Sequence, residues 1–271
     1  MIKFLVRKLL KWARMIKSLI RYLRSPDYRS KVHVGDFLLF LLHRRGQLVQ
    51  VRIAGEKIWV RKGSPDLEVA LSCLTGEFDA LGEIFPADYA GIIVDAGGYI
   101  GTSALALKKM FPKARILVIE ASASNLEVLR KNLEGTEGVE IIHAALVGKD
   151  SGQVEVKNRG TGQWGFTVVA EPRDQPEAET LHSVNSVTLE SLGVPLSEVG
   201  ILKLDIEGGE FDLFTHSSDQ LDLIDAVFVE LHDRIVAGCS DLFFRFSEER
   251  KLIKGDGEKY LSLRQDLKVQ A

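Results

Sequence analysis

Three sets of carboxylates stand where apolar runs end, and their spacing suits ligand chemistry. Asp95 closes Ile92-Ile-Val-Asp95 and opens Asp95-x-Gly97-x-x-x-Gly101. An acid at a strand end accepts hydrogen bonds, and a glycine turn lets backbone approach a ligand while the next helix packs on the strand. Glu120 ends Arg115-Ile-Leu-Val-Ile-Glu120. It lies about twenty residues beyond the turn, where Rossmann-like sheets place the acid that binds ribose hydroxyls. The third set is Gly200-Ile-Leu-Lys-Leu-Asp205-Ile-Glu207-Gly-Gly-Glu210, and the nearby run Ala226-Val-Phe-Val-Glu-Leu231 is followed by His232. Ligands of open parallel sheets bind outside the carboxyl ends of the strands, so all three sets should face one crevice.

A hydride-transferring dinucleotide enzyme would carry glycine at the first turn position, where this chain has Ala96. The pattern from Asp95 to Gly101 instead matches nucleotide-binding α/β folds that hold S-adenosylmethionine. Asp95, Gly97, Gly101 and Glu120 form the expected cofactor site, with Ala121 and Asn125 following directly. Methyl transfer to a hydroxyl needs the oxygen held in line and its proton removed. Histidine titrates near neutral pH, so His232 is the expected base, with Asp205 and Glu207 orienting it or the substrate. The same oxygen-rich set suits Mg²⁺ or Ca²⁺, but spacing alone does not demand an ion, and no metal site is predicted.

Taken together, Val94-Asp-Ala-Gly-Gly-Tyr-Ile-Gly101, Glu120 with Ala-Ser-Ala-Ser-Asn125, Asn132, Leu202-Lys-Leu-Asp-Ile-Glu-Gly-Gly-Glu210 and Val229-Glu-Leu-His232 resemble the FkbM family of methyltransferases. Val60-Arg-Lys-Gly-Ser-Pro-Asp66 and Gly76-Glu-Phe78 extend the resemblance upstream. It implies an α/β fold built on a Rossmann-like class I methyltransferase sheet, S-adenosylmethionine as cofactor, and O-methylation of sugars or other natural products.

The elements that must position these residues are readable in part. Thr102 to Met110 should form the helix after the glycine turn, and Leu126, Leu129, Arg130 and Asn132 belong to a second helix ending near Gly135. Gly138 to His143 suits a third parallel strand, with Ala144 and Ala145 near the adenine. Gln153 to Lys157 and Phe166 to Val169 alternate like a hairpin, and Glu171 to Thr180 reads as an exposed loop. Lys251-Leu-Ile-Lys and Lys259-Tyr-Leu-Ser-Leu flank Gly255-Asp-Gly257, which predicts an antiparallel edge. Upstream, Phe37 to Leu42 predicts a short helix, and Val49 to Ile53 with Lys57 to Arg61 a hairpin turned by Ala54-Gly-Glu56. Such a piece suits a lid, where Arg61 or Lys62 would meet a carboxylate.

Length and composition set the remaining bounds. A chain of 271 residues, 45% hydrophobic, can bury a sizeable core. Its net charge of −3 predicts no nucleic-acid partner. Cys73 and Cys239 have neither metal nor obvious disulfide spacing and suit a reducing cytosol. Residues 1–24 carry eight Lys and Arg and no acid, with the apolar residues on the opposite helical face. This pattern predicts a helix lying on an anionic membrane surface, or one docked on a protein partner, with Ser25-Pro26 as a hinge. The expected organisation is therefore residues 1–30 as helix and hinge, 31–90 as cap and 91–271 as catalytic domain. The expected protein is a cytoplasmic enzyme peripheral on the membrane, acting on a small-molecule or lipid-linked saccharide. The rival readings are a nicotinamide-dependent reductase and a non-catalytic membrane adaptor.

Overall fold

A computed structural model describes residues 24–267, and the amphipathic segment predicted at the amino terminus lies almost wholly outside them. The chain divides into two compact units after Glu77, upstream of the boundary expected at residue 90.

In the smaller unit, Ser25 does not act as a plain hinge. Its hydroxyl accepts from the Tyr28 amide and caps the helix Pro26–Lys31, whose Pro26 occupies the first turn, where a missing N–H costs nothing. The helix Val34–Leu42 follows. Strands β1 (Leu48–Ile53) and β2 (Glu56–Arg61) pair antiparallel from Leu48 opposite Arg61 to Ile53 opposite Glu56. Ala54 and Gly55 both have positive φ, 50° and 90°, the geometry that matches a two-residue turn to strand twist. The helix Asp66–Leu74 closes the unit. Arg61 is buried and committed within it: its backbone amide and Nε donate to Asp66 Oδ2 at 2.7 and 2.8 Å, and Nη2 donates to Oδ1 at 3.0 Å. A bidentate pair of this kind is strong and geometrically specific, and it ties the end of β2 to the helix that follows.

The larger unit is built on a sheet whose strands are β3 (Ile92–Ala96), β4 (Arg115–Glu120), β5 (Val139–His143), β10 (Val199–Leu204), β11 (Ala226–Glu230), β12 (Arg250–Lys254) and β13 (Lys259–Arg264). Their spatial order is β12-β13-β11-β10-β3-β4-β5. Strands β3, β4, β5, β10 and β11 pair in parallel, while β13 runs antiparallel to both β11 and β12. The reversed strand is thus inserted one place in from the edge, which refines the predicted antiparallel edge. β3 and β10 are buried along their whole length. Strands covered on both faces read as continuous apolar runs, which is why they are visible in the sequence. Val94, Leu117, Leu202, Leu204, Val227 and Val229 share one core with Leu213, Phe214 and Phe243.

Between β5 and β10 the chain forms a second, smaller sheet from β6 (Ala145–Leu146), β7 (Gln153–Asn158), β8 (Phe166–Thr167) and β9 (Glu179–Val187). The hairpin predicted for β7 and β8 exists only as the pairs Lys157–Thr167 and Asn158–Phe166. The main partner of β7 is β9, antiparallel from Gln153 opposite Asn185 to Asn158 opposite Glu179. The exposed loop expected through Thr180 therefore ends before Glu179. Both free cysteines are buried, and no helix among the described residues is long and apolar enough to cross a membrane.

The helix Ala123–Asn132 ties the glycine turn to the sheet, because Asn132 Nδ2 donates to the Ile100 carbonyl at 2.8 Å in a buried position. Asn132→Ala would leave that carbonyl unpaired. Urea unfolding is expected to show a loss of roughly 1–3 kcal/mol, with weaker S-adenosylmethionine binding as the turn loosens.

Candidate active site

The turn after β3 is fixed from below. Gly97 and Gly98 each donate to the Ile119 carbonyl at 3.0 Å, and Gly101 donates to the Gly98 carbonyl at 2.7 Å. Gly97 has φ 80° and Gly101 φ 85°, a region that costs L residues energy. A Cβ at Gly97 would lie 1.8 Å from the Asp205 carbonyl oxygen, so this glycine makes room for the neighbouring strand end. A Cβ at Gly101 would press on Leu129 and Leu133, which agrees with its expected role in helix packing.

Asp95 is fully buried. Ser103 Oγ donates to its Oδ2 at 2.5 Å, and Lys203 Nζ lies 3.2 Å from its Oδ1. Its carboxylate is thereby held under the turn, at the carboxyl end of β3 where it was expected. Lys203 also donates to the Gly97 carbonyl at 2.7 Å, tying β10 to the turn.

Glu120 remains at the crevice and is nearly buried. Its Oε2 accepts from the Tyr99 amide and its Oε1 from the Ser122 amide, both at 2.8 Å. Burial raises its carboxyl to about 7, against the pull of those donors, of Asn125 and of Lys203. Asn125 is a positioning residue: its Nδ2 donates to Glu120 Oε1 at 3.3 Å and to the Gln163 carbonyl at 3.0 Å. The Ala121 carbonyl lies 3.2 Å from Nε2 of both His143 and His182.

The acid cluster after β10 touches this turn, since the Asp205 amide donates to the Ala96 carbonyl at 3.1 Å. Glu207 has φ 50°, a left-handed conformation rare outside glycine. Thr167 Oγ1 donates to its carbonyl at 2.6 Å, and its Oε2 takes Arg159 and, at 3.3 Å, Arg234. Neither arginine is signalled by the sequence, because both meet Glu207 through space from distant segments. Glu210 is fully buried; it accepts from the Ile206 and Gly208 amides at 2.8 Å and lies 3.0 Å from His232 Nδ1. His232 is itself fully buried, with Nε2 3.7 Å from Asp205 Oδ1 and 3.7 Å from Glu207 Oε1. Burial opposes charge on the imidazole, but Glu210, Glu207 and Asp205 outweigh it and raise His232 to about 10. These three carboxylates favour the charged imidazole, and the expected base thus stands inside a ring of acids. Burial likewise raises Glu207, to about 7, against His232 and the two arginines and with Asp205.

A seven-stranded sheet with one reversed strand near its edge, a glycine turn with an acid at the end of the next strand and an acid cluster beside the turn define a class I methyltransferase. The methyltransferase FkbM domain matches residues 95–260, and the chain belongs to that family. It is an S-adenosylmethionine-dependent methyltransferase, which sets the reductase reading aside. Methyltransferase 1 of Beauveria bassiana is 31% identical over 169 residues, covering 55% of this chain and 67% of that protein. Among solved structures, the SAH-bound Podospora anserina methyltransferase PaMTH1 is 13% identical over 73% of this chain and 78% of its own, with a TM-score of 0.39. The precorrin-6y C5,15-methyltransferase of Geobacter metallireducens is 12% identical over 73% and 87%, with a TM-score of 0.39. At such scores neither likeness carries the assignment, which rests on the family match.

The residues present fit the cofactor: Glu120 offers carboxylate lone pairs to a ribose diol at the end of β4. Folded Glu120 keeps its proton up to about 7, whereas an unperturbed glutamate loses it near 4.5. The ionised form is the better acceptor for two hydroxyls, so affinity for S-adenosylmethionine should rise as pH climbs through that window. Glu120→Gln should bind roughly ten-fold or more weakly at high pH, since a charge-assisted hydrogen bond contributes about 1.5–3 kcal/mol, and should lose the pH dependence. Calorimetry across pH checks both, and a Glu120→Gln profile matching the wild type removes Glu120 from the site.

Proposed function

We propose that this protein methylates a hydroxyl group of a saccharide or similar natural product, with the acceptor met at the rim of the acid cluster by Asp205 and with Glu207 and His232 behind it. The observation that carries the reading is the contact between the two halves of the site: the Asp205 amide bonded to Ala96 in the cofactor turn. Bound S-adenosylmethionine supplies an electrophilic methyl group, whose transfer to oxygen leaves a neutral thioether and releases the hydroxyl proton. Asp205 is the member of the cluster suited to take that proton, because its side chain is 36% exposed while His232 and Glu207 are buried. Glu207, fixed by Arg159 and Arg234, supplies a second acceptor for a polyol, whose hydroxyls arrive in pairs. An amine or carbon acceptor gains less from so many hydrogen-bond acceptors.

Two features support a larger acceptor. Trp164 is 40% exposed beside Gln163, whose carbonyl holds Asn125, and it offers an amphipathic ring face near the ribose acid. An apolar cleft lined by Val147, Val168, Val169, Phe211 and Val236 runs past Gly208 and suits the non-reacting part of the molecule. Residues 1–24 would hold the enzyme on an anionic surface where a lipid-linked glycan is presented, by apolar insertion together with lipid charge.

A methyl-transfer screen against lipid-linked saccharides, free sugars and small alcohols is expected to give a product methylated on oxygen; methyl found only on nitrogen or carbon overturns the reading. Asp205→Asn should lower turnover about 10²–10⁴-fold while leaving cofactor affinity close to wild type. In vesicle cosedimentation, deletion of residues 1–24 should release the protein from anionic liposomes. Salt should weaken but not abolish binding of the full chain, since screening touches only the electrostatic part. Equal recovery of both proteins in the soluble fraction would favour a docked helix instead.

A further inference from the structure

The cluster after β10 has a feature that proton transfer alone leaves unexplained. His232 Nε2 is buried, has no hydrogen-bond partner, and faces two carboxylate oxygens across equal gaps of 3.7 Å. An imidazolium bonded to a carboxylate would close to about 2.7–2.9 Å, and one tilt of the ring or either acid would achieve it. The outer atoms of His232 and Glu207 are already engaged, while Asp205 Oδ2 has only a lysine beyond hydrogen-bond distance. Glu210, pinned by two backbone amides, holds Nδ1 at 3.0 Å. Arg159 and Arg234 hold Glu207 Oε2, and Lys203 Nζ stands 3.8 Å from Asp205 Oδ2. The inner atoms, Nε2, Oδ1 and Oε1, are left converging on a common point, with Asp205 partly open to solvent as the way in.

We infer that Asp205 Oδ1, Glu207 Oε1 and His232 Nε2 bind a divalent cation, with Glu210 as the positioning residue behind the histidine. The three residues bring donor atoms within 4.8 Å of one another, as a metal site requires. For the two histidine–carboxylate pairs, each 3.7 Å apart, a cation at about 2.1 Å from each donor meets ligand–metal–ligand angles of roughly 120°. Closing those two pairs to octahedral angles needs a shift of about 0.7 Å each, within side-chain motion. A metal-bound histidine whose other ring nitrogen meets a carboxylate is the usual arrangement around such ions. Two carboxylates with one imidazole suit Mg²⁺ or Mn²⁺, and three protein donors leave positions open for acceptor oxygens. The inference rests on the hydroxyl-methylation reading for its purpose: a cation would draw in a pair of vicinal oxygens and lower the hydroxyl pKa. Asp205 Oδ2, outside the coordination, stays available for the proton.

The test uses the full chain, freed of metal by chelator, and Mn²⁺ as the probe, followed by electron paramagnetic resonance and calorimetry. One Mn²⁺ per chain is expected, displaced by excess Mg²⁺. Asp205→Asn and His232→Ala should each abolish binding, and Glu210→Gln should weaken it about 10–100-fold. S-adenosylmethionine affinity, measured on the same samples, reports that each variant is folded. If His232→Ala does not fold, Asp205→Asn, altered at a part-exposed side chain, decides the question. Absence of Mn²⁺ uptake at millimolar concentration, or equal uptake by wild type and Asp205→Asn, overturns the site. Methyl transfer to oxygen that persists in chelator, with no Mn²⁺ uptake, overturns the cation and leaves the methylation reading standing. Mn²⁺ uptake lost in the variants, with methyl delivered only to nitrogen or carbon, supports the cation and overturns hydroxyl methylation.

Discussion

The parallel pairing of β3 with β10 is the constraint from which the site follows. Asp95 stands opposite Lys203 and Ala96 opposite Leu204, so the two strands end at the same level and their following loops meet. The contact is so close that the Asp205 carbonyl occupies the space a side chain at position 97 would need. Lys203 secures it by donating to the Gly97 carbonyl while standing beside Asp95, which places a buried charge pair in the seam. A buried lysine and aspartate are costly unless paired, so each enforces the position of the other. Because side chains alternate across a strand, a slip of one residue would reverse every side chain of β10 and take Lys203 away from Asp95. The cofactor turn and the acid cluster are therefore positioned by one register.

What the register leaves loose, the smaller sheet completes. Glu207 reaches the cluster only through a left-handed backbone, a strain of order 1–2 kcal/mol for a residue with a Cβ. Thr167 on β8 holds its carbonyl, and Arg159, the residue after β7, takes its carboxylate. Arg159 also pairs with Asp174, which lies in the loop between β8 and β9. The sheet inserted between β5 and β10 thus supplies one of the countercharges of Glu207, beside Arg234 from the far side of the site. Its second apparent product is the loop carrying Gln163 and Trp164, joined to the ribose acid through Asn125.

The parts of this site legible in the sequence are those whose cause is local. β3, β4, β10 and β11 read as apolar runs because both faces are covered, and an acid at the end of such a run has few reasons to be there. The glycine turn is legible because positive φ restricts residue choice. β9 escaped because Glu179-Thr-Leu-His-Ser-Val-Asn-Ser-Val187 is polar and largely exposed, and its strand state comes from pairing with β7 rather than from its own pattern. At Asp95 and Gly97 the sequence marks the positions as special but does not show the neighbours Lys203, Ser103 and Asp205, which come from distant segments. His232 fared similarly. Its position pointed to a base, while the three carboxylates that hold its proton come together only in the fold.

Burial across the cluster is graded, and the gradient bears on how hydroxyl chemistry can proceed there. Glu210 and His232 are sealed, Glu207 is nearly so, and Asp205 is partly open. The sealed pair gives a rigid, low-dielectric floor in which charge interactions are strong and no reorganisation is needed when an acceptor arrives. Under the proposed hydroxyl methylation, the open member is the one able to meet a hydroxyl from solvent and to exchange its proton with water. A cluster uniformly buried would trap that proton, and one uniformly exposed would lose the electrostatic advantage to solvent screening. Burial of the histidine closes its route to water, whereas Asp205 at the rim keeps one.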